Sequence, residues 1–161
     1  MKEIAIAELL DESIKLELTV AGLYELFHNY FPEDSDFWWK LLIEEKGHAA
    51  VLRSGKETFL PLHVFPENLI SKSIQDVSNV VAELEEIIKL YKVNPPSRTE
   101  AFSIALKYEM SAGEVHLQDF MEAKSNNRIE EIFQKMINGD QSHVSKLLEY
   151  MKKNNVEVVN K

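Results

Sequence analysis

Two short strings in the chain place an acid three residues before a histidine: Glu45-Lys46-Gly47-His48 and Asp140-Gln141-Ser142-His143. On a helix that spacing puts both side chains on one face, where carboxylate oxygen and imidazole nitrogen converge and suit a divalent cation. A single acid-x-x-His arises often by chance, but here both strings extend apolar stripes. His48 falls between Leu41/Leu42 and Leu52, and His143 between Met136 and Leu147. An ionised carboxylate aimed into a core is costly unless it is paired or metal-bound. Two further acids occupy core positions, Glu17 between Ile14 and Ala21, and Glu109 between Leu106 and Ala112/Gly113. The small residues Ala21, Gly22, Ala49, Ala112 and Gly113 lie within a turn of these acids and leave room for ions.

The elements that must position these groups read as helices. Only five Gly and five Pro interrupt 161 residues, so the stretches between breaks are too long for strands. Residues 3 to 30 carry apolar positions at Ile6, Leu9/Leu10, Ile14, Val20/Ala21, Tyr24 and Phe27, the three-and-four rhythm of one buried stripe. Pro32 ends this first helix, Asp34 or Ser35 caps a second, and Gly55 stops it. Two prolines in Phe59-Leu60-Pro61-Leu62-His63-Val64-Phe65-Pro66 predict an extended crossover, followed by an extra helix over about 70 to 92. After Asn94-Pro95-Pro96, Ser97 and Glu100 form a capping-box pattern at the start of a helix to about residue 124. Ser125-Asn126-Asn127 turns the chain into a last helix over about 128 to 153, antiparallel to the one before. The expectation is one all-α domain over residues 1–161, a four-helix bundle with a long crossover between its second and third helices that contains the extra helix.

One acid from each of two helices and an acid-x-x-His from each of the other two is the ligand pattern of two-metal carboxylate sites in bundle cores. On these residues the chain resembles the rubrerythrin branch of the ferritin-like superfamily over nearly its whole length, and the order agrees: Glu17, then Glu45/His48, a crossover, then Glu109 and Asp140/His143. The interval from Glu17 to Glu45 is 28 residues and that from Glu109 to Asp140 is 31, consistent with two related hairpins. The resemblance implies a ferritin-like fold and a site of two divalent metal ions on Glu17, Glu45, His48, Glu109, Asp140 and His143, with iron expected and manganese or zinc equally compatible with the ligand types. It implies oxidation of Fe(II) or reduction of peroxide or dioxygen there, with Tyr24 beside the metals. The chain departs from the family at Ala112, where a second glutamate is usual, and at Asp140, one methylene short of glutamate. A rival reading from another class is a non-catalytic metal carrier, or a degenerate ferritin-like scaffold whose inward polar groups bond to one another.

The remaining composition narrows the field. Cysteine is absent, which excludes disulfides, thiolate chemistry, iron–sulfur clusters and Cys-ligated zinc. It also excludes the cysteine-ligated rubredoxin module, so an electron donor must be a separate molecule. Acids exceed Lys and Arg by 27 to 18, with no basic stripe for nucleic acid. No apolar run approaches a membrane span and the N-terminus lacks a signal-peptide core, which makes the cytoplasm the expected location. The resemblance and the apolar crossover around Phe59 to Phe65 point to a homodimer. Among other residues, Glu44 lies about 100° around the helix from Glu45 and reads as solvated. His28, His63 and His116 read as structural or packing residues, and of Trp38 and Trp39 one ring is expected in the core.

Overall fold

The computed structural model describes residues 3–137 and 142–158, with backbone alone at 3, 4 and 112–114. Among the described residues all regular structure is helical: α1 (Glu3–Tyr30), α2 (Ser35–Ser54), α3 (Ile74–Val93), α4 (Arg98–Glu109), α5 (Ala112–Glu122), α6 (Arg128–Ile137) and α7 (His143–Lys153). They pack as a bundle-like fold. α1 lies along both α2 and α3, α4 pairs with α7, and α2 meets α6. No helix is long and apolar enough to cross a membrane among these residues.

The two partners of α1 explain its composition. Its expected stripe is buried throughout, and so are Leu16 and Leu23 outside that stripe, because a helix flanked by neighbours must be apolar over a wider arc. Between α1 and α2 the 3-10 turn Pro32–Asp34 reverses the chain. There Asp34 is buried and accepts two hydrogen bonds from Arg98 at 2.7 and 2.8 Å and one from Tyr150 at 2.9 Å. One carboxylate thereby ties the start of α2 to α4 and α7. An aromatic layer fills the same end of the bundle: Trp38 lies 4.6 Å from Phe102 between ring centroids, and Phe37 stacks on Tyr150 at 4.0 Å. Trp39, by contrast, is half-exposed.

Three boundaries differ from the sequence reading. Gly55 does not stop the second helix: its backbone is right-handed helical, and a π-helical turn closes from Leu60 N–H to the Gly55 carbonyl at 3.0 Å. Glycine is required there for space, since a Cβ would sit 2.7 Å from Phe65 and 3.1 Å from Phe133. The helix expected from 97 to 124 breaks at Met110–Ser111, where Ser111 is extended (φ −78°, ψ 168°). The signal was Ser111-Ala112-Gly113-Glu114, a helix-start residue type with a glutamate three positions on and a poor helix former between. The last helix is also not continuous. Ser142 is extended (φ −63°, ψ 153°) and its side chain accepts from Ser145 N–H, so α7 begins afresh at His143.

The segment between α2 and α4 carries α3, which starts at Ile74 behind a Ser73 cap. Its aromatic residues turn inward: Phe59 and Phe65 pack edge-on against Phe133 at centroid distances of 5.0 and 5.7 Å.

Candidate metal centre

Glu17 projects from the middle of α1, Glu45 and His48 from α2, Glu109 from the last residue of α4 and His143 from the first residue of α7. Five of the six expected ligands meet in the core. Glu17, Glu45 and His48 form one group, and Glu45, Glu109 and His143 a second; within each group the ligand atoms lie within 4.8 Å of one another. The sixth, Asp140, lies outside the described residues. His143 stands at the start of its helix, directly after the extended Ser142.

Glu45 belongs to both groups. Its Oε1 is 2.5 Å from His143 Nδ1, and its Oε2 is 3.6 Å from His48 Nδ1, which also lies 3.6 Å from Glu17 Oε2. The two imidazoles lie with centroids 5.4 Å apart and planes 22° from parallel. Tyr24, fully buried, donates to Glu109 Oε1, and His143 Nδ1 is 3.2 Å from the same oxygen. The tyrosine expected beside the site is thus tied to one of its carboxylates.

The cluster is poorly satisfied as a purely protein network. Glu17 Oε2, both oxygens of Glu45 and His48 Nδ1 are buried without a hydrogen-bond partner. The short approach of Glu45 Oε1 to His143 has ion-pair distance but not hydrogen-bond geometry. Buried polar atoms are almost always partnered, so four orphaned ligand atoms facing inward suit a cation between them. Helix polarity points the same way. Glu109 ends α4, where the negative end of the helix disfavours another negative charge, and His143 opens α7, where the positive end disfavours imidazolium. A cation on Glu109 and a neutral His143 relieve both conflicts.

Without a cation, charges redistribute strongly. Burial, reinforced by the Glu45 charge, pushes the Glu17 carboxyl up to about 8. Burial and then Glu45 also raise Glu109. Burial works against the Glu45 charge, but the His143 charge and the close approach of His143, Glu17 and His48 outweigh it and hold the carboxyl well below the usual range. Against burial, the nearby carboxylates of Glu17 and Glu45 lift His48 to about 10, and Glu45, Glu109 and Glu44 hold His143 well above the usual histidine range.

Glu44 is the residue the sequence reading misplaced. It is part-exposed, yet its Oε2 accepts from His143 Nε2 at 2.6 Å, and Lys146 Nζ donates to both its oxygens at 2.8 and 2.7 Å. The helical angle from Glu45 was sound, but a glutamate is long enough to reach α7 from the flank of α2. His28 instead bonds Ser35 at 2.7 Å, and His116 belongs to neither ligand group. Gly22 faces Ile88 of α3 rather than the ligands.

Two openings flank the centre. A cleft of about 260 Å³ runs beside Glu44, Lys146, Leu41, Phe37 and Tyr150. A void of about 10 Å³ adjoins Glu17 between Ser13, Leu16, Leu52, Leu69 and Leu117, room for about one water molecule. No family model, curated protein or solved structure matches this chain.

Proposed function

We propose that the chain is a two-metal carboxylate protein of rubrerythrin-like type within the ferritin-like superfamily, oxidising Fe(II) or reducing peroxide or dioxygen in the bundle core. The observation that carries this reading is Glu45, fully buried and directing one oxygen toward each of two three-residue ligand groups. A carboxylate so placed can span two ions about 3.5 to 4 Å apart. Two bound ions would supply electron exchange with a small oxidant. The chain's own part is to hold neutral imidazole on each side of Glu45 and fix Glu109 through Tyr24. A void of about 10 Å³ adjoins Glu17, lined by Leu16, Leu52, Leu69, Ile70 and Leu117 together with Ser13 and Ser71. A ferritin-like topology, a homodimer, an external electron donor and a cytoplasmic location belong to the same reading.

A second reading has its own support. His143 bonds or pairs with Glu44, Glu45 and Glu109 without any cation, as the self-satisfied core of a scaffold or reversible metal carrier would. Elemental analysis of the purified protein and Fe(II) titration of wild type and Glu45→Ala separate the two, provided circular dichroism shows the variant folded. The enzyme reading expects about two ions per chain, lost in the variant, and accelerated peroxide consumption by the iron-loaded protein. Saturable binding without turnover leaves a carrier, and no binding leaves the scaffold.

A further inference from the structure

Nothing in an acid-x-x-His pattern says which nitrogen of the ring meets an ion. In this protein the answer lies in a tether that runs outward from the core. His143 has a 7% exposed side chain, Glu44 37% and Lys146 26%, so the chain of bonds starts at a buried ring and ends at the surface. A carboxylate only accepts, so the 2.6 Å contact places a proton on His143 Nε2. The other nitrogen, Nδ1, is thereby left to face Glu45 at 2.5 Å and Glu109 at 3.2 Å. Lys146, one turn along α7 from His143, holds the Glu44 carboxylate by both oxygens. Among the described residues His48 has no comparable tether: its Nδ1 faces Glu17 and Glu45, each at 3.6 Å.

We infer that Glu44 is a positioning residue for one half of the centre, holding His143 with Nδ1 toward the ligands, with Lys146 fixing Glu44 in turn. The inference rests on the two-metal reading above. Among the described residues this makes the two halves unequal: the Glu45/Glu109/His143 half is braced from outside the core and the Glu17/Glu45/His48 half is not. Acceptors behind a ligating imidazole set its tautomer and orientation, and their loss typically weakens metal binding about 10- to 100-fold.

The test is Co(II) titration of the metal-free full chain, followed by ligand-field absorption, for wild type, Glu44→Ala, Glu44→Gln and Lys146→Met. The expected result is two binding steps in wild type, one of them weakened about 10- to 100-fold by Glu44→Ala with the other unmoved. Glu44→Gln, which keeps an acceptor oxygen, restores part of the loss, and Lys146→Met weakens the same step to a smaller degree. A general packing defect would move both steps and show no rescue by Gln. Two wild-type steps that Glu44→Ala leaves unchanged, or lowers equally, overturn the role of Glu44 alone. A wild type that takes up no Co(II) removes the two-metal reading and this inference with it. Should Glu44→Ala not fold, Lys146→Met decides by the same criterion, since it removes the support from a partly exposed position.

Discussion

His48 and His143 approach from different helices with ring centroids 5.4 Å apart and planes 22° from parallel. Two imidazolium ions so close would repel, and the Glu45 carboxylate between them is what makes that charge state tolerable. The same arrangement makes metal binding a competition with protons, because ligands must be deprotonated to coordinate. Glu17 is raised to about 8 by burial and the Glu45 charge, and His48 to about 10 by its carboxylate partners against burial. Groups with raised values contribute stability fully present below their unfolded-state values and lost as pH rises through the folded ones. The metal-free protein should therefore lose stability progressively from about pH 4.5 through about 8 and on toward about 10. A divalent ion should bind more tightly, and stabilise more, over that same rise. Calorimetric titration with Zn(II) in two buffers of different ionisation enthalpy measures the protons released; none released near neutral pH would contradict the assignment of Glu17 and His48 as protonated in the metal-free state.

Tyr24 supplies a second test. It is fully buried and donates to Glu109, a carboxylate at the unfavourable end of α4. Tyr24→Phe keeps the ring and its packing against Trp38, at 5.4 Å between centroids, but removes the donor. Hydrogen bonds to charged groups contribute about 1.5–3 kcal/mol, so urea unfolding of the metal-free variant should show a loss of that order. The loss should shrink when metal is present, because the ion then takes up the carboxylate's charge. No loss in the metal-free variant would mean that the hydroxyl adds nothing and that Tyr24 acts through packing alone.

How much of this was legible beforehand depends on whether a feature was written in local pattern or in tertiary approach. Helical class and the core stripe of α1 follow from periodicity alone, and three of the five inward acids and histidines that meet sit within the helices expected for them; Glu109 and His143 arrive from a helix end and a helix start rather than from helix middles. The breaks at Ser111 and Ser142 were present as cap residues, but uninterrupted apolar spacing on either side masked them. A related device, Asn127 accepting from Glu130 N–H at 3.0 Å while Glu130 accepts from Asn126 N–H at 2.7 Å, caps α6 from a segment that read simply as a turn. Glu44 was illegible for a different reason. Its role depends on α7 coming within a side chain's length of the flank of α2, which no spacing within α2 can express.

Arg98 offers a prediction away from the centre. It is about one-third exposed, while the Asp34 carboxylate it grips is buried and also bonded to Tyr150. Arg98→Ala leaves that carboxylate with a single phenolic donor. Removing one partner of a buried pair costs about 3–5 kcal/mol, and the exposure of Arg98 puts the expected value near the lower end. Asp34→Asn/Arg98→Ala should recover part of it, since the stranded charge is then gone. Chemical denaturation of the wild type, Arg98→Ala, Asp34→Asn and the double variant checks this, and additive losses in the double variant would show that the pair is not coupled.

Gly55 sets two opposed effects against each other. Alanine is favoured over glycine in a helix by about 1 kcal/mol, and the backbone here is ordinary right-handed helix at φ −60° and ψ −46°. Propensity alone therefore says that Gly55→Ala should stabilise. Packing says otherwise: the new Cβ would lie 2.7 Å from the Phe65 ring and 3.1 Å from that of Phe133. Phe133 is wholly buried and wedged between Phe59 and Phe65, so neither ring has space into which to retreat. Forcing a methyl into a filled core costs about 1–3 kcal/mol, enough to outweigh the gain. Thermal unfolding should show Gly55→Ala destabilised by about 1 kcal/mol, and Gly55→Ala combined with Phe65→Leu should recover stability relative to Phe65→Leu alone. A stabilised single variant would mean that the crossover yields, and that the helix running past residue 54 is held by its own backbone rather than by the aromatic contact.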